Sequence, residues 1–178
     1  MAIVSILLAG QCSKAQEQFQ SPSEQTPSAP PSGEPPPPLA AGPSTASSRV
    51  ELEPAPGAGQ VAPIVRDASD RARADGRRLV VYVGATWCEP CRRFHDAAER
   101  GELDTKFPRL TLLEFDLDRD RERLAQAGYV SQYVPLFALP ATDGVASGRQ
   151  VEGAIKGEGA VAFIAPQLAE LLERSSSD

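Results

Sequence analysis

At 178 residues and 41% hydrophobic content, the chain has length for one ordinary domain and an extra segment, and the two are not composed alike. Twelve of the 17 prolines fall between Pro22 and Pro63, and no aromatic residue occurs between Phe19 and Tyr82, so that region lacks the side chains a core needs. The net charge of −6 divides evenly, with 2 basic and 5 acidic side chains in residues 1–59 and 16 and 19 in residues 60–178; without a concentrated Lys/Arg face, nucleic acid is excluded as a partner class.

Ala2 to Ala9 form an apolar run broken only by Ser5. It is too short to span a bilayer, which takes about 20 residues, and reads as a secretion signal. Ala9-Gly10-Gln11-Cys12 resembles a bacterial lipoprotein signal, in which the cysteine is lipidated and becomes the new N-terminus. The chain departs from that pattern in having no Lys or Arg before Lys14 and Gln11 in place of a small residue. The expectation is a segment 1–12 that exports the chain and anchors it to the membrane through Cys12, with a periplasm-facing location. The alternatives are cleavage without lipidation and no export at all, the last leaving the chain in the cytoplasm. From Ser13 to Gln60 the Pro/Ser/Ala-rich composition, with its run Pro35 to Pro38, predicts a disordered tether whose 48 residues would span about 40 Å as a flexible coil.

Order is expected from Val61, giving a domain over 61–178. Val61, Ile64, Val65, Ala68 and Ala72 recur at helical spacing up to Asp75-Gly76. Leu79 to Gly84 predicts a buried strand, and a helix follows that turns Phe94, Ala97 and Ala98 inward and ends at Gly101. Leu110 to Phe115 predicts a second buried strand. The alternating charges of Asp116 to Arg123 read as a solvated loop and helix start, with a short helix from Arg119 to Ala127 closed by Gly128. Pro135 to Leu139 predicts a third strand, Asp143-Gly144 a turn, and Arg149 to Ile155 a partner strand. The last helix carries Val161, Ile164, Leu168, Leu171 and Leu172 on one face, and either kinks or starts at Pro166.

The chemistry concentrates at Trp87-Cys88-Glu89-Pro90-Cys91, between a strand and a helix. Backbone N–H groups of a helix that begins near Cys88 point at its sulfur and favour the thiolate, which makes Cys88 the nucleophile. Cys91, three residues on and on the same helical face, is placed to attack a mixed disulfide from within. A zinc site would need about four ligands, and the only other cysteine and histidine are Cys12 and His95; no metal site is expected. A purely structural bridge would constrain the unfolded chain by only about 2 kcal/mol.

A strand ending in Trp-Cys-x-x-Cys, a βαβ unit, then Val134-Pro135 before an antiparallel hairpin and a terminal helix resembles the thioredoxin superfamily over about residues 61–174, and most closely its membrane-tethered bacterial thiol reductases of the Dsb type. The resemblance implies an α/β, thioredoxin-like fold, a central mixed sheet flanked by helices. It implies a cis peptide before Pro135 and a substrate-contact surface of Trp87, Val134 and Pro135. The activity implied is thiol-disulfide oxidoreduction on proteins, with the Cys88–Cys91 couple as the only redox group, no separate cofactor, and an upstream thiol electron donor. Two positions depart from ordinary thioredoxin: Tyr82 replaces the buried acid five residues before the tryptophan, and Glu114 stands where a lysine is usual. His95, four residues after Cys91, and Glu114 are then the candidate proton acceptors. Glu89 between the thiols disfavours the thiolate and, with Pro90, points to the reducing direction. Two other classes compete: a thioredoxin-fold module holding Cu(I) on its thiolates, weakened because Met1 is the only methionine, and a redox-inert partner-binding scaffold.

Overall fold

A computed structural model of the protein describes residues 47–174. The expectations placed on residues 1–46, including Cys12 as an anchor, lie outside the described residues.

Within them the elements run β1 (Glu51–Pro54), α1 (Val61–Ala74), β2 (Arg78–Gly84), α2 (Glu89–Glu99), β3 (Leu110–Asp116), α3 (Leu117–Gln126), β4 (Leu136–Pro140), β5 (Ala146–Glu152) and α4 (Ala160–Arg174). The strands form one sheet in the order β1-β3-β2-β4-β5. β1, β3 and β2 are parallel, whereas β4 pairs antiparallel with both β2 and β5. The sheet is therefore mixed, as the resemblance implied.

β2 reads as a nearly continuous apolar run because it lies inside the sheet and both its faces are covered. Side chains alternate across a strand, so Leu79, Val81 and Val83 join one core with Val61, Val65 and Ala68 of α1 and Leu124 of α3. Val80 and Tyr82 join the other, with Cys88, Cys91 and Phe94 around α2 and Ile164 and Leu168 of α4. The disulfide end of α2 is thus part of a packed core.

Four sequence expectations change. Order begins earlier than Val61, because β1 pairs with β3 from Glu51↔Thr111 to Pro54↔Glu114. Buried Arg77 holds the segment leading into β1, donating to the Ser47 and Arg49 carbonyls at 2.8 and 2.7 Å and lying 3.0 Å from Glu51. Residues 51–54, placed in the expected tether, are therefore a strand of the sheet. The strand expected at Arg149 to Ile155 is instead Ala146–Glu152, since Gly153 turns out of the ladder at φ +79° and donates to the Pro135 carbonyl at 2.9 Å. The solvated run is not uniformly solvated, because Asp116 caps α3 by accepting from the Asp118 and Arg119 backbone N–H groups and Asp120 is fully buried. Finally, of the two alternatives at Pro166, α4 does not start there: it runs from Ala160 to Arg174 with the proline inside it, on its exposed side.

Candidate functional site

Cys88 is the N-cap of α2, and its sulfur accepts from the Cys91 backbone N–H at 3.2 Å. The helix starts there because Cys88 is extended, at φ −82° and ψ 103°, while Pro90 in the first turn has a fixed φ suited to a helix and no N–H to leave unpaired. Cys88 and Cys91 are joined in a disulfide with an S–S distance of 2.02 Å. Both are buried, with 4% and 2% of their surface exposed.

The floor beneath the disulfide is aromatic. Tyr82 stacks on Phe137 at 5.1 Å between ring centroids, and Phe94 meets Phe137 edge-on at 4.8 Å. The Tyr82 hydroxyl donates to the Cys91 carbonyl at 3.2 Å. Burial, reinforced by the Glu114 charge, pushes that hydroxyl well above the usual range for tyrosine, so it stays protonated. Gly84 leaves room for this contact, since a Cβ there would come within 3.1 Å of the Tyr82 oxygen and 3.6 Å of the Cys91 Cβ.

Glu114 is the direct register partner of Tyr82 across the β2–β3 ladder. The two departures seen in the sequence are therefore neighbours on the sheet face that α2 covers. His95 reaches over from α2, its Nε2 3.5 Å from Glu114 Oε2 and its Nδ1 3.7 Å from Glu99 Oε2. Cys91, Tyr82, His95 and Glu114 share a cleft of about 410 Å³ whose outer wall includes Pro54 and Arg119. The sequence expectation placed His95 and Glu114 near Cys91, and the structure brings all three into this cleft. Arg119 and the β1 residues were not foreseen, because β1 carries no motif. Ligand atoms of His95, Asp96 and Glu99 come within 4.8 Å of one another, but one histidine beside two exposed carboxylates on a helix is an ordinary surface cluster and is not assigned as a metal site.

The Val134–Pro135 peptide is cis. Pro135 is buried and Val134 packs against the core that contains both cysteines. Trp87 is 61% exposed, and its indole N–H donates to Asp118 Oδ2 at 2.9 Å. The cis peptide before Pro135 is the one the resemblance implied. Tyr133 and Ile155 are 65% and 49% exposed, and neither was singled out in the sequence. A Cβ at Gly153 would come within 3.4 Å of the Tyr133 Cβ, and the Gly157 backbone hydrogen-bonds Glu89, the residue after Cys88. The adjacency of Tyr133 to Val134-Pro135 was the available signal.

No family model and no curated protein matches the chain. Among solved structures, oxidized thioredoxin O1 from Arabidopsis thaliana is similar at 22% identity and a TM-score of 0.42, over 71% of this chain and 96% of that one. A thioredoxin from Trichomonas vaginalis is similar at 18% and 0.44, over 71% and 98%, and a poplar thioredoxin h at 19% and 0.42, over 73% and 98%. What decides the fold is the chain itself: a parallel βαβ unit, a strand leading into Cys-x-x-Cys at a helix start, a cis-proline opening an antiparallel hairpin, and a closing helix. The fold is thioredoxin-like.

Proposed function

We propose that the chain is a protein thiol-disulfide oxidoreductase, working in the reducing direction on proteins outside the cytoplasm. The observation that carries the activity is the Cys88 sulfur at the start of α2, facing the Cys91 N–H and bonded to Cys91. In the reduced protein the Cys88 thiolate attacks one sulfur of a substrate disulfide and expels the other as a thiolate, leaving a mixed disulfide. The Cys91 thiolate then attacks Cys88 Sγ, the Cys88–Cys91 bond forms, and the substrate's second thiolate leaves. The two electrons gained by the substrate come from the cysteine pair, which an upstream dithiol donor must reduce again. No separate cofactor enters this cycle.

The direction is supported by Glu89, the acidic residue of the first turn of α2. A hydrogen bond from Arg93 holds its carboxyl below the usual range, so it is charged at neutral pH. A negative charge beside Cys88 opposes the thiolate that a strong oxidant stabilises. The location is supported by the apolar run before Cys12 and by the length of chain between Cys12 and β1; among the described residues no helix is long and apolar enough to cross a membrane.

The decisive experiment is substrate trapping. Cys91→Ser should accumulate reductant-sensitive adducts with protein disulfides, and Cys88→Ser none; adducts in the second variant alone would reverse the assignment. A measured potential near that of a strong oxidant, about −120 mV, would contradict the reducing direction. Recovery of a full-length, unlipidated chain from the soluble fraction would remove the anchor.

A further inference from the structure

We propose that Glu114 is the acid-base group that takes the proton of Cys91 when the mixed disulfide resolves, and that His95 is a positioning residue holding the Glu114 carboxylate in the cleft. This deepens the oxidoreductase reading and rests on it. Cys91 must lose its thiol proton to attack Cys88 Sγ, and at 2% exposure it has little contact with bulk water. The acceptor has to come from the cleft.

The charged groups of that cleft divide by what each is already doing. Arg92 of α2 and Arg119 of α3 are permanent cations and accept nothing. The Asp116 carboxylate caps α3 through the Asp118 and Arg119 N–H groups. Tyr82 donates to the Cys91 carbonyl and keeps its proton. Asp96 is exposed on the outer side of α2, where its charge acts on Arg100. His95 faces two carboxylates with its two ring nitrogens, Glu99 at 3.7 Å and Glu114 at 3.5 Å, which makes it a bridge between α2 and β3.

Glu114 of β3 lines the same cleft as Cys91. It sits one strand spacing, about 4.8 Å, from Tyr82, whose hydroxyl already touches the Cys91 backbone. It shares the face of Leu110 and Leu112, which pack in the core containing both cysteines. The Ala55 N–H, donating to the Glu114 carbonyl at 2.8 Å, fixes its backbone from β1. The cleft has room for waters to relay a proton between the thiol and the carboxylate. The proton leaves Cys91 for Glu114, the Cys91–Cys88 bond forms as the Cys88–substrate bond breaks, and the expelled substrate thiolate is protonated from Glu114 or solvent.

The test uses the reduced full-length protein and an aromatic disulfide whose thiolate product is coloured. Stopped flow then resolves two releases, the first from attack by Cys88 and the second from resolution by Cys91. Glu114→Gln should slow the second release about tenfold to a hundredfold and change its pH profile, while the first stays within about twofold. Glu114→Asp should recover most of the rate. His95→Ala should slow the second release less, and should add nothing in the Glu114→Gln background, as expected of a residue acting through another. A second release unchanged in rate and pH profile in Glu114→Gln overturns the inference while leaving the oxidoreductase intact. So does a His95→Ala effect that persists undiminished in the double variant, which would make His95 the acceptor. Absence of the first release in the unsubstituted protein removes the enzyme reading itself.

Discussion

Asp120 shows how one side chain sets the acid limit of this domain. Burial pushes its carboxyl up, but hydrogen bonds from Arg119 and Arg123 and from the Asp116 N–H outweigh that and hold it below the usual range. A carboxyl depressed by folding contributes stability that is complete above its unfolded value, about 3.9, and is lost as the pH falls through the folded value. Asp120→Asn should therefore cost about 2 kcal/mol at neutral pH and flatten the acid end of the stability profile, measured by urea unfolding over a pH series. An equally steep acid loss in the variant would assign the slope to other carboxylates. Half-exposed Arg119 contributes less than its geometry suggests, because water screens it. Nothing in the alternating run Asp116 to Arg123 marks Asp120 as buried; only the return of the 56–59 loop over Arg123, whose guanidinium bonds the Pro56 and Gly59 carbonyls, does so. Cys88, Cys91 and Pro135 were legible because their chemistry is local to a motif, whereas the His95–Glu114 contact needed the register of β3 against β2.

At the scale of elements, β1 is the one the sequence concealed. It has four residues, follows a proline-rich stretch, and offers only Val50 and Leu52 to the core, so no periodicity separates it from a tether. What makes it a strand lies elsewhere: the edge of β3 and the guanidinium of Arg77, which bonds the Ser47, Arg49 and Leu110 carbonyls and the Thr111 hydroxyl. By contrast β2, α1 and α2 announce themselves, since each carries its own apolar pattern and its own stop signal. Arg77→Ala should cost about 3 kcal/mol by leaving those buried acceptors unpaired, or roughly 10 °C in Tm, and should speed proteolysis before Val61. A chain beginning at Gln60 should show a similar loss, and one beginning at Ser47 little. Equal stability of all three would mean that β1 is ornamental. Because Ala55 holds the Glu114 backbone, the shortened chain should also resolve mixed disulfides more slowly.

Over the whole molecule, the buried disulfide meets a polar cleft at Cys91, while Trp87, next to Cys88 in the chain, and Tyr133, next to Val134, are widely exposed. Trp87 and Tyr133 are far more exposed than Cys88, so a protein substrate is expected to rest on them as its disulfide reaches Cys88. Large aromatic side chains at such a place carry binding energy out of proportion to their number. Trp87→Ala and Tyr133→Ala should each reduce kcat/KM on a protein disulfide such as insulin about fivefold, near 1 kcal/mol, chiefly through KM. The same variants should leave the rate on a small aromatic disulfide within about twofold, because such a molecule reaches the sulfur without resting on those side chains. Trp87→Phe separates packing from polarity: it keeps the ring and loses the bond to Asp118, and should retain most of the rate on insulin. Equal losses on both substrates would place the aromatic residues in the chemistry of the cysteines and not in substrate capture.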